Sequence, residues 1–461
     1  MALKGRVGKI VYGLGSIGDT GSYQLLSAFL LFFLIDIVHF DSWLAGIVFL
    51  LGYGVWNAIN DPIVGTLSDR TRTRFGRRKP FMMIGAPLML IFYFLIFSPP
   101  LGGAPLADPR SLWFFVYILL AIVAYEFTYS MTALCWFAVF PEVWESTKDR
   151  TEVVVWRQIF AVVGGAIAMV VFPVLLDVFE GRFGELGAWG VSGVIVGALW
   201  SASYLISMLG FEERKEFASE KPMSIREGLR LTLKNKSLYT YMVIDLMTWC
   251  MFGWLSAMMP FFITHSLGFG DTELSYILGL QMLGTFAFFL VWRKVYISRG
   301  PIFTLGLSSI AFCASLSLAL VVHTLPGAMV FGFVAGASVA GVLIAREVMM
   351  GDVVDEDEVK TGIRREGSYF GWMVAVEKIS LAVVGLCTPL LLSTIIGYVP
   401  DQPEPEFMDM GLRLGMFGFT VVFVVILLVD LLKFYPLKGE VVNELRKEIE
   451  ALHAEKAQRV K

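Results

Sequence analysis

Asn57, Asn60 and Asp61 stand close together inside one apolar run, and Pro62 follows them. On a helix these positions fall on neighbouring turns. Proline has no N–H to donate, so it frees a carbonyl one turn back. A carboxylate, two amides and a freed carbonyl make an oxygen-rich niche suited to a hard cation or a proton. Glu126, Ser130 and Ala133 recur at spacings of four and three in another apolar run, so one helical face carries them and Glu126 offers a second carboxylate.

Other ionisable residues interrupt apolar runs: Asp19, Asp36, Arg157, Asp245, Arg346, Glu347, Glu377 and Lys378. A charge near the centre of a bilayer costs at least ~2.5–3.5 kcal/mol on insertion scales, so each needs a partner or a watery cavity. Bland roles suffice for several. Asp36 lies near the outer end of its run, Asp245 lies within two turns of the opposite end of its own, and the acidic loop after Arg346 and Glu347 can pair with them. Lys378 reads as the counter-charge of an inward-facing carboxylate. The aromatics Tyr23, Trp56, Trp136, Phe137, Trp249, Trp254 and Trp372 serve packing or an interfacial belt, and beside polar groups their faces suit a sugar ring. His39, His265, His323 and His453 are scattered, the four cysteines lie in apolar runs, and there is no P-loop or nucleophile elbow. These features predict neither catalytic residues nor a bound cofactor, and no metal beyond a sodium ion at Asp61.

The elements that must position these groups are membrane helices. The 461 residues are 56% hydrophobic and 17% charged, and the mean hydropathy is +0.70. A soluble chain of this length needs far more polar surface. Twelve apolar runs are each long enough to span a bilayer, which takes roughly 20 residues. They cover approximately 10–38, 43–68, 81–99, 111–140, 155–177, 188–210, 239–265, 272–293, 301–322, 326–350, 367–397 and 410–435. The long polar interruption falls after the sixth. The expected fold is therefore all-α, with twelve transmembrane helices in two pseudo-symmetric six-helix bundles. Residues 1–210 form the first bundle, 211–238 a central loop, 239–436 the second bundle and 437–461 a tail. Lys and Arg concentrate in the even-to-odd connections and the termini, which places both termini, the central loop and the tail in the cytoplasm of a multi-pass plasma-membrane protein. The first apolar run follows a basic start without a small-residue cleavage site, and it reads as a retained span.

Several motifs carry a family resemblance. "NDPIVGTLSDRTRTRFGRRKP", "MGDVVDEDEVKTGIRREGSYFG", "YGLGSIGD" and "FFLIDIVHF" together resemble the glycoside–pentoside–hexuronide:cation symporters of the major facilitator superfamily, the melibiose permease family, over nearly the whole chain. The resemblance implies cation ligands at Asn57, Asn60 and Asp61, where sodium-coupled members carry aspartate at the first position. It places a helix 4 aspartate of the family at Ala133 and a sugar-stacking tryptophan at Phe137 or the adjacent Trp136. The helix 5 arginine falls on Arg157, the helix 11 lysine on Lys378, and a helix 1 lysine–aspartate pair on Asp19 and Thr20.

The expected activity is secondary transport of a sugar or glycoside by alternating access, with the halves rocking about a midplane site. Asp61, Asn57, Asn60 and Glu126 bind the coupling ion, a proton or sodium, and Asp19, Thr20, Trp136, Phe137, Arg157 and Lys378 serve the solute. Asp69, Arg70, Arg77 and Arg78 form a cytoplasmic gate with Glu142, Asp352 and Asp355. The partners are a small-molecule solute and the lipid bilayer, without nucleic acid, and the protein works as a monomer. A lysolipid carrier of the same superfamily and an uncoupled uniporter are the alternatives.

Overall fold

A computed structural model of the chain describes residues 3, 5–100, 112–144, 147–213, 235–361, 366–399 and 402–459. Among these, every regular element is helical. Ten stretches are long and apolar enough to cross a membrane. Eight are single spans: α1 (Gly5–Ile37), α2 (Ser42–Gly65), α3 (Lys79–Phe97), α4 (Leu112–Phe140), α7 (Lys236–Ser266), α10 (Leu325–Lys360), α11 (Ala375–Ile396) and α12 (Met408–Phe434). The other two, Glu152–Gly210 and Asp271–Leu320, are each divided by a glycine in the left-handed region, Gly184 at φ 71° and Gly300 at φ 80°. A side chain there would be strained. The breaks separate α5 from α6 and α8 from α9, and twelve spans result. An amphipathic helix, α13 (Glu440–Arg459), follows.

The chain forms two compact units that do not follow chain order. The first comprises Met1–Lys221, Ser256–Gly279 and Leu381–Leu412, and the second Pro222–Leu255, Leu280–Ser380 and Arg413–Lys461.

In the first unit α1 packs against α5 and α6, and α3 against α4 and α6. Close approach is built in at Gly15, where a Cβ atom would lie 2.7 Å from the ring of Trp136. Tyr12 completes this contact from α1: its hydroxyl donates to the Trp136 carbonyl at 2.7 Å, and the indole N–H returns a bond to the Tyr12 carbonyl at 3.2 Å.

The far ends of α1 and α7 repeat one motif. "FFLIDIVHF" (32–40) and "FFITHSLGF" (261–269) each end in a widened π-helical turn, Phe33–Ile37 and Phe262–Ser266. The N–H of Val38 reaches the Phe33 carbonyl and that of Phe40 the Leu34 carbonyl; Leu267 and Phe269 bond identically to Phe262 and Ile263. His39 at φ 59° and Gly268 at φ 66° fill the same left-handed position. Asp36 and His265 therefore occupy equivalent sites of the two copies.

In the second unit α10 runs further than the apolar run that predicts it. The stretch after residue 350, read as a cytoplasmic loop, stays helical to Thr361. Hydropathy misses this because the extension is amphipathic. Val353 and Val354 are buried, and Glu356 pairs with Lys360 one turn on at 2.5 Å. The tail is helical for a related reason: Val442, Leu445 and Ile449, spaced three and four apart, are buried on one face of α13, which packs against α10.

Candidate functional site

The residues around Asp61 converge on α4. The Ser130 hydroxyl donates to Asp61 Oδ1 at 2.6 Å. Asn60 donates through Nδ2 to Ser130 Oγ at 2.8 Å and to the Glu126 carbonyl at 3.2 Å. Asn60 is fully buried, and its Oδ1 has no hydrogen-bond partner. An unsatisfied buried acceptor costs about 1–3 kcal/mol, and a cation is a natural recipient of such a lone pair. Asn57, 3% exposed, donates from Nδ2 to the Tyr53 carbonyl at 3.0 Å. Glu126 is also buried, and Ala133 on the same helix contributes no oxygen. The π-helical turn Leu50–Val55 leads directly into this stretch; such turns often occur at functional sites.

One residue along α4, a second carboxylate is held. Tyr129 donates its hydroxyl to Asp19 Oδ1 at 2.9 Å, and Tyr204 of α6 donates to the same oxygen at 3.1 Å. Further along, Arg157 of α5 lies 4.6 Å from the ring centroids of both Trp136 and Phe137, and 5.6 Å from that of Phe140. Cation–π contacts of this kind stabilise a desolvated guanidinium by up to about 2 kcal/mol. Among the described residues no carboxylate pairs with Arg157, and its Nε is buried without a partner. Trp136 is fully buried beneath Tyr12, whereas Phe137 is 39% exposed. Of the two rings, that of Phe137 is the more exposed. Thr20 is half-buried next to Asp19 on α1.

Lys378, Asp352 and Asp355 belong to the second unit, on α11 and α10. That unit also contains a pairing that local pattern does not reveal. Arg346 bonds to Asp245 of α7 at 2.8 Å with both residues buried, and its guanidinium lies 4.9 Å from the Trp249 ring. The sequence offers Arg346 the acidic stretch that follows it as a partner; the structure turns it instead to a helix 101 residues earlier in the chain. Two ions that each have bland explanations alone become one buried pair, because each is the other's available counter-charge inside apolar surroundings.

The basic loop between α2 and α3 is tied down by a residue that sequence reasoning passed over. Glu213, just after α6, accepts the backbone N–H groups of Arg77 at 2.8 Å, Arg78 at 3.0 Å and Lys79 at 2.7 Å. These are the orphan donors that open α3. Its signal in the sequence is only an acid among basic neighbours, in "FEERK". Lys79 adds a bond from Nζ to the Phe211 carbonyl at 2.6 Å. At the same end Lys9 bonds to Asp149 at 2.6 Å and to Glu152 at 2.5 Å. Of the expected gate, the side chains of Asp69, Arg70 and Glu142 lie outside the described residues. Glu213→Ala should lower the stability of the folded protein by about 1–3 kcal/mol, the range for stranding buried donors, and leave solute affinity unchanged. Thermal unfolding in detergent and a binding isotherm check the two halves of that expectation.

The profile of the family described as MFS/sugar transport protein matches residues 11–439. The isoprimeverose transporter of Lactiplantibacillus pentosus is 24% identical, with 85% of this chain and 81% of that protein aligned. The sodium-dependent lysophosphatidylcholine symporter 1 of Gallus gallus is 23% identical over 97% of this chain and 89% of its own. Among solved structures, a bacterial homologue of the human lysosomal transporter Spinster, in an inward-facing and unoccupied conformation, superposes with a TM-score of 0.69 at 14% identity, covering 96% of this chain and 97% of that one.

Proposed function

Because the chain belongs to the MFS/sugar transport protein family, and so is a multi-pass membrane transporter with the major facilitator fold rather than an enzyme, we propose that it is a cation-coupled symporter of sugars or glycosides. The observation that carries this reading is the pair of consecutive residues on α4. Tyr129 holds Asp19 on α1 and Ser130 holds Asp61 on α2. A carboxylate flanked by aromatic rings and a guanidinium suits a hydroxylated ring, and a carboxylate ringed by amide and hydroxyl oxygens suits a cation. Adjacent residues of one helix joining the two niches give a direct route for coupling, since a shift of α4 alters both at once. In this reading Asp61, Asn57 and Asn60 hold the ion, with Glu126 beside them, and Asp19, Thr20, Phe137 and Arg157 receive the solute, with Trp136 supporting Arg157. Positive charge near α1, the α2–α3 loop and α13 supports cytoplasmic termini.

Uptake into proteoliposomes of a panel of mono- and disaccharides, with and without a sodium gradient and a pH gradient, tests the reading. Accumulation of a sugar driven by either ion supports it. Transport that only equilibrates the solute makes the protein a uniporter. The resemblance to the lysophosphatidylcholine symporter supports a second reading, in which Arg157 and its rings receive a lipid headgroup. A lysophosphatidylcholine arm of the same panel separates the two.

Sodium should bind weakly. Where sodium-coupled relatives of this kind place carboxylates, this chain offers the neutral amide of Asn57 and the methyl of Ala133. Fewer charged oxygens lower the affinity for a hard cation. Isothermal titration is expected to show sodium binding no tighter than the millimolar range, which is about −4 kcal/mol, and micromolar binding in competition with protons would contradict this.

A further inference from the structure

We propose that His265 is a proton-binding site that latches α1, α7 and the α11–α12 connection together at the end remote from the N-terminus.

His265 Nε2 lies 2.9 Å from Asp36 Oδ1, and its Nδ1 lies 2.6 Å from Glu404 Oε1. Tyr398, just beyond α11, donates its hydroxyl to the same oxygen of Asp36. Ser42 of α2 and Ser393 of α11 bond to each other nearby. Both ring nitrogens thus face carboxylate oxygens, which only accept when ionised. A neutral imidazole can donate from one nitrogen only. With two ionised carboxylates, one contact would set lone pair against lone pair. The bridge as built holds one proton more than a neutral histidine and two carboxylates carry.

Among the described residues neither Asp36 nor Glu404 pairs with a lysine or arginine. The further titratable groups near the cluster are Glu185 between α5 and α6, which interacts electrostatically with Asp36 and His39, and His39 and Asp41 of the adjoining cavity; Asp409 at the start of α12 reaches Ser266 through its backbone carbonyl. The His265 side chain is 8% exposed and that of Asp36 12%, so water screens that arm of the bridge little, while Glu404, 52% exposed, meets solvent at the other. Proton access is short. A cavity of about 320 Å³ lined by His39, Asp41, Ser42, Ser393 and Tyr398 adjoins the latch.

The two halves of the chain contribute the two ends of the bridge from one repeated motif. Asp36 and His265 occupy the same register of "FFLIDIVHF" and "FFITHSLGF", on matching π-helical turns. An acid in one copy and a base in the other turn a symmetric contact into a proton-dependent one.

Closing the latch takes up a proton, so acid favours the closed form and alkali opposes it. Above the ordinary imidazole value of about 6.5, the closed-to-open ratio should fall by up to tenfold per pH unit. Spin labels at Trp43→Cys and Phe407→Cys, both exposed, in a background free of the four native cysteines, read this by pulsed dipolar spectroscopy in nanodiscs from pH 5.5 to 9.5. No solute is present, so the outcome does not depend on what the protein carries. The parent should show one short distance at pH 5.5 and a growing longer one as the pH rises. His265→Asn should hold the longer distance at every pH. Glu404→Gln should hold the shorter one at every pH, because an amide donates to Nδ1 and lets a neutral imidazole complete the bridge. A parent distribution that does not change with pH, or a Glu404→Gln protein that shifts as the parent does, overturns the proposal.

Discussion

Asp61→Asn should abolish accumulation of solute against its gradient while leaving the protein folded and able to exchange solute. The amide has nearly the shape of the carboxylate and can still accept from the Ser130 hydroxyl, which now lies 2.6 Å from Asp61 Oδ1. What disappears is the negative charge. A charge-assisted contact contributes about 1.5–3 kcal/mol, so cation affinity should fall on the order of 10- to 100-fold. Asp19, Phe137 and Arg157, the proposed solute residues, remain in place, so solute should still bind. In proteoliposomes with an imposed ion gradient, the internal-to-external solute ratio should settle at unity for the mutant while solute counterflow persists. A mutant that concentrates solute as the parent does would move the coupling ion to another residue.

Asp245→Ala should be the most destabilising single substitution at an ionisable residue of the second unit. It leaves Arg346, 7% exposed, without its bonded carboxylate and against the face of Trp249. Removing one partner of a buried pair costs about 3–5 kcal/mol. Replacing both, Asp245→Leu with Arg346→Met, removes the stranded charge and should regain most of that loss. Melting followed by size-exclusion fluorescence compares the three proteins. Should the single and double variants melt alike, the pair has no structural role, and the two ions would have to be retained for transport.

Hydropathy alone locates the spans, because a bilayer demands the same length of apolar chain wherever it is crossed. It also brings Asp61 and Ser130 into view, since each sits on a helical face whose period can be read locally. Partners separated by long stretches of chain leave no such trace. Asp245 and Arg346 each look dispensable until the fold sets them 2.8 Å apart. Glu213 looks like one more loop acid until three backbone N–H groups converge on it. His265 belongs to a set of four scattered histidines, and only the fold shows that both its nitrogens are engaged. Helical ends mislead for another reason: past residue 350 amphipathic packing rather than lipid sustains α10, and hydropathy does not register it.

The first span carries three of these groups on one rod. Lys9 is clamped near one end, Asp36 is bonded near the other, and Asp19 lies between them. At about 1.5 Å per residue, Asp19 stands roughly 15 Å from the clamp and Asp36 roughly 40 Å. A tilt of α1 about the Lys9 clamp would make it a lever. A tilt that carries the tip through several ångströms moves the middle by little more than a third as much. On the proposed reading of Asp19 as a solute-binding carboxylate, a place close to the pivot would let it keep hold while the far end swings.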